Sequence, residues 1–205
     1  MAKPDQRDIV IIGGGASGTL TAWNLATRHG VTATVVDPTD RPGFGLAYST
    51  PSLKNLLNVP AKGMSADPDD PGHFLRWLAE NVPGKVDDAE FVPRALYGLY
   101  LRNLHSITPP EHVRQQAISC HRIEGGFAVT LADGRVLHAR KIVLGCGHFD
   151  PARLPGIPPE LDATGRYHHN AWDERALADI VPDDQVTLIG TGSVSYTHLR
   201  AHETA

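Results

Sequence analysis

The chain has 205 residues, 41% of them hydrophobic and 20% charged, with a formal net charge of −4. That length suits one buried core, or one domain and the beginning of another. The acidic balance and the scatter of 19 Lys and Arg leave no basic footprint for nucleic acid. The longest apolar run, residues 9–12, is far below the roughly 20 residues a membrane-spanning helix needs. Cys120 and Cys146 stand in no C-x-x-C spacing, which argues against a disulfide scaffold or a dithiol pair and fits a reducing cytoplasm.

In chain order, residues 8–13 read as a buried strand. Gly13-Gly14-Gly15 breaks the apolar stretch and Asp8 stands at its entrance, so it is no signal peptide. Residues 16–29 read as a helix packing through Leu20, Trp23, Asn24 and Ala26, with Gly30 where a left-handed cap is wanted. Residues 31–37, rich in β-branched side chains, form a second strand. Residues 38–72 are dense in Pro and Gly but interleaved with Leu46, Tyr48, Leu53, Leu56, Leu57, Val59 and Met64, which marks a folded, functional loop. Helices are expected at 73–80 and 94–106, the second with Leu96, Tyr97, Tyr100, Leu101 and Leu104 on one side.

Strands follow at 113–120, 127–131, 136–139 and 141–144, with Asp133-Gly134 as a hairpin turn and Gly145-Cys-Gly147 at the exit. Cys146 reads as a small buried residue. Beyond a Pro-rich exit come a short helix over 173–180 and a strand over 186–189. The expected fold class is α/β: a Rossmann-type domain with a parallel sheet and a three-strand β-meander, then the first strand of a second dinucleotide-binding domain.

The first strand runs into Gly13-Gly-Gly15-Ala-Ser-Gly18, a G-x-G-x-x-G fingerprint inside a βαβ unit of about 30 residues. Gly13 allows the sharp turn, Gly15 lets backbone approach a pyrophosphate, and Gly18 allows close packing of helix on strand. The N–H groups of Gly15, Ala16 and Ser17 open the helix toward phosphates. Asp37 ends the second strand about 20 residues later, where an acid takes ribose hydroxyls and disfavours a 2′-phosphate. Val186-Thr-Leu-Ile-Gly190-Thr-Gly192 begins a second fingerprint that stops being recognisable at Ser193. Two fingerprints about a domain apart suggest a flavin enzyme reduced by a nicotinamide. The adjacent His168 and His169 point apart on an extended chain, so no metal site is expected.

Several motifs then resemble a known family. They are Arg41-Pro-Gly43-Phe-Gly45-Leu-Ala47-Tyr48, Leu56-Leu-Asn58-Val-Pro60, Asp69-Asp-Pro71-Gly-His73, Phe91-Val-Pro93-Arg94-Ala-Leu-Tyr97-Gly98 and Asn170-Ala-Trp172-Asp173. In this order they are similar to the bacterial FAD-NAD(P)-binding proteins, which include FAD-dependent amino-acid N-hydroxylases. The resemblance implies FAD in the first site, and an NAD(P)H domain beginning near residue 186. It implies a monooxygenase-like reaction on a small molecule such as an amine or amino acid; the charge balance and short apolar runs point to neither nucleic acid nor membrane as partner. Ala47, Asn58 and Val59 fall on the flavin-ring side by motif position, and Gly145, after the last strand, joins the cofactor-binding set. A flavin reductase without oxygenation and a non-catalytic FAD- or NAD-binding module stay open as alternatives.

The expected division is an incomplete FAD-binding domain over 1–150, a linker over 151–185, and the start of a truncated NAD(P)H domain over 186–193. Residues 194–205 are polar where an apolar helix should follow, and they match a reading frame through a sequencing-library adapter. That tail is expected to be non-native, and His198 and His202 to bind no metal.

Overall fold

Alternation along the first strand, β1 (Gln6–Ile12), sets the layers of the fold. The computed structural model describes residues 6–84, 86–170, 176, 178, 180, 181 and 183–190. The chain divides into two compact units between Gly147 and His148. In the first unit, Ile9 and Ile11 turn to one face of the sheet, against Ala22 and Leu25 of helix α1 (Ala16–His29). Val10 and Ile12 turn to the other face, against Val129, Leu131 and Leu137.

Six strands form one mixed sheet in the order β3-β2-β1-β6-β5-β4, with β2 (Thr34–Val36), β3 (Glu111–Val113), β4 (Ala117–Ile123), β5 (Gly126–Leu131) and β6 (Val136–Leu144). β3, β2, β1 and β6 run parallel, and β6, β5 and β4 form an antiparallel meander. β3 and β4 lie at opposite ends of this order, yet only residues 114–116 separate them. Five strand spacings amount to about 24 Å, and so short a link reaches about 14 Å. The sheet therefore curls, bringing the meander over one face of the parallel strands. Val113 of β3 accordingly shares a core with Val129 and Leu131 of β5.

α1 is packed on two sides. Ala22 faces the sheet, while Trp23 enters a second core with Leu57, Ala61, Phe74, Leu78, Tyr97, Tyr100 and Leu104. That core is built by α3 (His73–Asn81), α4 (Arg94–Ile107) and the loop before them. Gly30, at φ 64°, ends α1 with its N–H on the Ala26 carbonyl, as its place in the sequence predicts.

The structure corrects several boundaries. Val31 still donates to the Leu25 carbonyl of the helix cap, so β2 begins only at Thr34. The strand expected at 113–120 breaks where Gln115 N–H folds back on the Val113 carbonyl, giving two strands with different neighbours. The segments 136–139 and 141–144 join into the single strand β6, because Arg140 reaches out to Asp8 without interrupting the ladder. The long loop contains a helical turn that periodicity did not reveal, α2 (Gly45–Tyr48).

Cys146 is exposed, since it lies past the last ladder residue of β6. In the second unit, residues 186–189 carry no ladder, and Val186 and Ile189 are exposed: no strand pairs with them among the described residues. The helix expected at 173–180 falls largely outside the described residues, and the tail 194–205 falls wholly outside them. No helix among the described residues is long and apolar enough to cross a membrane.

The parallel strands are tied at their N-terminal ends by a polar bridge. Glu111 of β3 accepts from Arg7 of β1 at 2.7 and 3.2 Å, and from the buried Thr34 hydroxyl of β2 at 2.6 Å. The hydrogen bond from Arg7 is the main cause holding the Glu111 carboxyl below the usual range. Glu111→Gln is therefore expected to cost about 1 kcal/mol at pH 7, the scale of a half-exposed charged hydrogen bond. A lowered folded-state value places this stabilisation above the unfolded-state value of about 4.3 and removes it as pH falls through the folded one. Urea denaturation of both proteins at pH 7 and pH 3 should show a gap that closes at the lower pH.

Candidate functional site

The C-terminal end of β1 turns sharply into α1. Gly13 adopts φ 106°, a conformation open to glycine, and its N–H donates to the Val36 carbonyl at 2.9 Å. A β-carbon on Gly18 would overlap the Gly13 carbonyl oxygen, and one on Gly13 would overlap the Gly145 carbonyl. Gly145 N–H in turn donates to the Ile12 carbonyl at 2.8 Å. Gly13, Gly18 and Gly145 thus form one backbone-to-backbone junction.

α1 opens from this junction without a side-chain cap and without an acid in its first turn. The first intrahelical donor is Thr19 N–H, on the Gly15 carbonyl at 2.9 Å. By helix geometry the N–H groups of Ala16, Ser17 and Gly18 lack an intrahelical acceptor, and Gly15 stands ahead of them. Such an end favours an anion.

Asp37 follows β2 and is half-buried. Its Oδ2 accepts from Gly14 N–H at 2.6 Å, and its Oδ1 from the N–H and hydroxyl of Thr39 at 2.9 and 2.6 Å. The expected acid is therefore bonded to the glycine turn itself. There is no room for a side chain on Gly14, where a β-carbon would sit 2.9 Å from Asp37 Cβ. An uncapped helix start beside a held carboxylate suits a dinucleotide with its phosphates at the one and a ribose at the other.

The loop carrying the Arg41-to-Tyr48 motif rests on the same turn. Gly43 N–H donates to the Gly14 carbonyl at 2.8 Å, and Gly45 approaches so closely that its β-carbon would lie 3.2 Å from Gly15 Cα. α4 supports the loop from behind. A β-carbon on Gly98 would stand 2.7 Å from both Phe44 Cδ1 and the Tyr48 carbonyl oxygen. Deeper in, Tyr100 hydroxyl accepts from Ala66 N–H at 3.0 Å and meets His73 Nδ1 at 2.5 Å, and burial pushes it up to about 12.

Of the residues expected at the site, Gly13, Gly15, Ala16, Ser17, Gly18, Asp37 and Gly145 gather around this turn. Ala47 lies in α2, whose first residue touches Gly15. Asn58 and Val59 are exposed on a separate stretch, where Leu57 N–H donates to the Val92 carbonyl and Ala61 N–H to the Glu90 carbonyl. Gly190 lies in the second unit at φ 120°, and Gly192 is outside the described residues. The contributions of Gly14, Thr39, Gly43 and Gly98 were not read from the sequence, although Asp-Pro-Thr is a recognisable side-chain turn and Gly43-Phe-Gly45 is itself a glycine pair.

A parallel-stranded α/β unit with a glycine turn, an uncapped helix and an acid after β2 defines a dinucleotide-binding protein. A family model described as FAD-NAD(P)-binding matches residues 10–149, and the chain belongs to that family. Its fold is similar to cyclohexanone monooxygenase with ε-caprolactone bound, at TM-score 0.69 and 22% identity over 94% of this chain and 36% of that one. It is also similar to a flavin-containing monooxygenase from Stenotrophomonas maltophilia, at 0.52 and 23% over 72% and 42%. A bacillithiol disulfide reductase from Staphylococcus aureus matches at 0.52 and 16% over 69% and 38%. The chain spans 36 to 42% of the length of these proteins, and the likeness is one of fold. Among curated protein sequences none matches the chain.

Two opposed effects meet at Gly98. Alanine there gains about 1 kcal/mol of helix propensity, but overpacking against Phe44 and Tyr48 costs typically 1–3 kcal/mol. Gly98→Ala is expected to lower the urea midpoint, whereas Asn103→Ala on the exposed side of α4 leaves it unchanged or raises it.

Proposed function

We propose that this chain carries the FAD site of a flavin monooxygenase that consumes NAD(P)H. The observation that carries the reading is the Asp37 carboxylate, bonded to Gly14 N–H at 2.6 Å beside the uncapped start of α1. FAD, when bound, supplies the redox chemistry and the reaction with oxygen. The chain's own residues bind and orient it. Gly15, Ala16 and Ser17 offer N–H groups to the pyrophosphate, Asp37 takes the ribose of the adenosine half, and Gly13, Gly18 and Gly145 hold the turn in shape. Ala47, Asn58 and Val59 face the flavin-ring side.

Gly190 and Gly192 belong to the beginning of an NAD(P)H-binding unit near residue 186. The substrate class is a small amine or amino acid, and the protein works in the cytoplasm. Family membership and monooxygenase-like folds support the reading; neither names the substrate.

FAD titration of the purified chain, followed by flavin fluorescence and calorimetry, tests it. The chain is expected to bind FAD, and Asp37→Ala to weaken binding by about 1–3 kcal/mol through loss of a charge-assisted partner. Equal affinity in the variant would remove Asp37 from the site. In the full-length protein, oxygen-dependent NAD(P)H oxidation that increases with an amine substrate separates a monooxygenase from a flavin reductase, which oxidises NAD(P)H without oxygenating anything, and from a binding module, which does neither.

A further inference from the structure

Asp37 has less capacity for a ribose than an unencumbered carboxylate. An ionised carboxylate offers about four lone-pair positions. Three are already used: one on Oδ2 by Gly14 N–H, and two on Oδ1 by Thr39 N–H and Thr39 Oγ–H. One position on Oδ2 remains, enough for a single hydroxyl.

A ribose of the adenosine half carries two vicinal hydroxyls, so the second needs another acceptor. Thr39 Oγ meets that need. It spends its only proton on Asp37 Oδ1, 2.6 Å away, and keeps its own lone pairs, on an exposed residue. The bond to Asp37 also orients it, since the hydroxyl cannot rotate to donate elsewhere without releasing the carboxylate.

We infer that Thr39 is the second ribose-binding residue, Asp37 Oδ2 accepting one vicinal hydroxyl and Thr39 Oγ the other. This rests on the proposed FAD site and deepens it. It also bears on cofactor choice. A phosphate on the 2′ oxygen would meet either the carboxylate or an oxygen with no proton to offer, so whichever of the pair takes that position rejects it.

The test compares wild type with Thr39→Val, which keeps the β-branched shape and loses the hydroxyl, and with Thr39→Ser, which restores it. FAD affinity is read by calorimetry, with far-UV circular dichroism as the check on folding. Thr39→Val is expected to weaken FAD about three- to tenfold, the effect of one neutral hydrogen bond, and Thr39→Ser to stay within about twofold of wild type.

A purely structural role for Thr39 would move affinity for every adenine nucleotide alike. ADP, 2′-deoxy-ADP and 3′-deoxy-ADP are therefore competed against bound FAD. Wild type should prefer ADP to both deoxy compounds, and Thr39→Val should lose its preference over one of the two while keeping the other. Equal FAD affinity in Thr39→Val, or both preferences surviving in it, overturns the inference and leaves the FAD site standing. A folded wild-type chain that binds no FAD overturns the site and the inference together.

Discussion

Everything at this end of the molecule depends on one contact between main chains. The first turn of α1 lies against the Gly13 carbonyl so closely that no β-carbon fits at Gly18. That contact determines how near the helix axis comes to the sheet, and hence which residues on α1 become core. Gly18 and Ala22 are buried on the side toward the strands, and Trp23 on the side toward α3 and α4. The helix is the shared wall of two cores, and its position is decided by three glycines at its start. Dispersion and burial supply the stabilisation, but the glycines decide what can be packed.

A second chain of close contacts links the distant helix α4 to the same turn. Gly98 admits Phe44 and Tyr48, Gly43 lies against Leu101 and donates to Gly14, and Gly45 lies against Gly15. Each step is a place where a side chain has been removed so that backbone can approach backbone or ring. The aromatic cluster of Phe74, Trp77, Tyr97 and Tyr100 holds α3 and α4 together behind the loop. The loop is thus held at Gly43, Phe44, Gly45 and Tyr48 by close contacts despite its content of Pro and Gly, which explains how an irregular segment can present an ordered surface beside the turn.

Much of this was legible in the sequence, for physical reasons. The limits of α1 coincide with the reading because a glycine turn precedes it and a left-handed glycine ends it, both local signals. The buried side of α4 was readable from its spacing, since Tyr97, Tyr100, Leu101 and Leu104 recur at helical period. What could not be read was non-local. The break at residues 114–116 follows from which strands β3 and β4 pair with, and the continuity of β6 from its two different partners. The exposure of Cys146 likewise depends on where the β1 ladder stops. At the site, spacing alone grouped Gly13, Gly15, Gly18 and Asp37, and the structure gathers them at one turn. Thr39 was beyond reach of such a reading, because the number of bonds the Asp37 carboxylate already accepts is a quantity that has no spacing.

The pairing of β1 with β6 has a consequence in time. Asp8 and Arg140, which face each other across these strands, are 132 residues apart in the chain. Gly145 closes the turn that Gly13 begins. A ribosome adding about 5–20 residues per second needs on the order of ten seconds between making the two. During that interval the nascent chain can form α1 and pair β1 with β2, but the glycine junction lacks its third member. The first-made part of the nucleotide site is therefore among the last to be finished, and long-range closure of this kind slows folding. Cofactor capture during synthesis has to wait for the last strand of the sheet. Until then, the edge of β1 that β6 will cover offers its unpaired N–H and C=O groups to other chains.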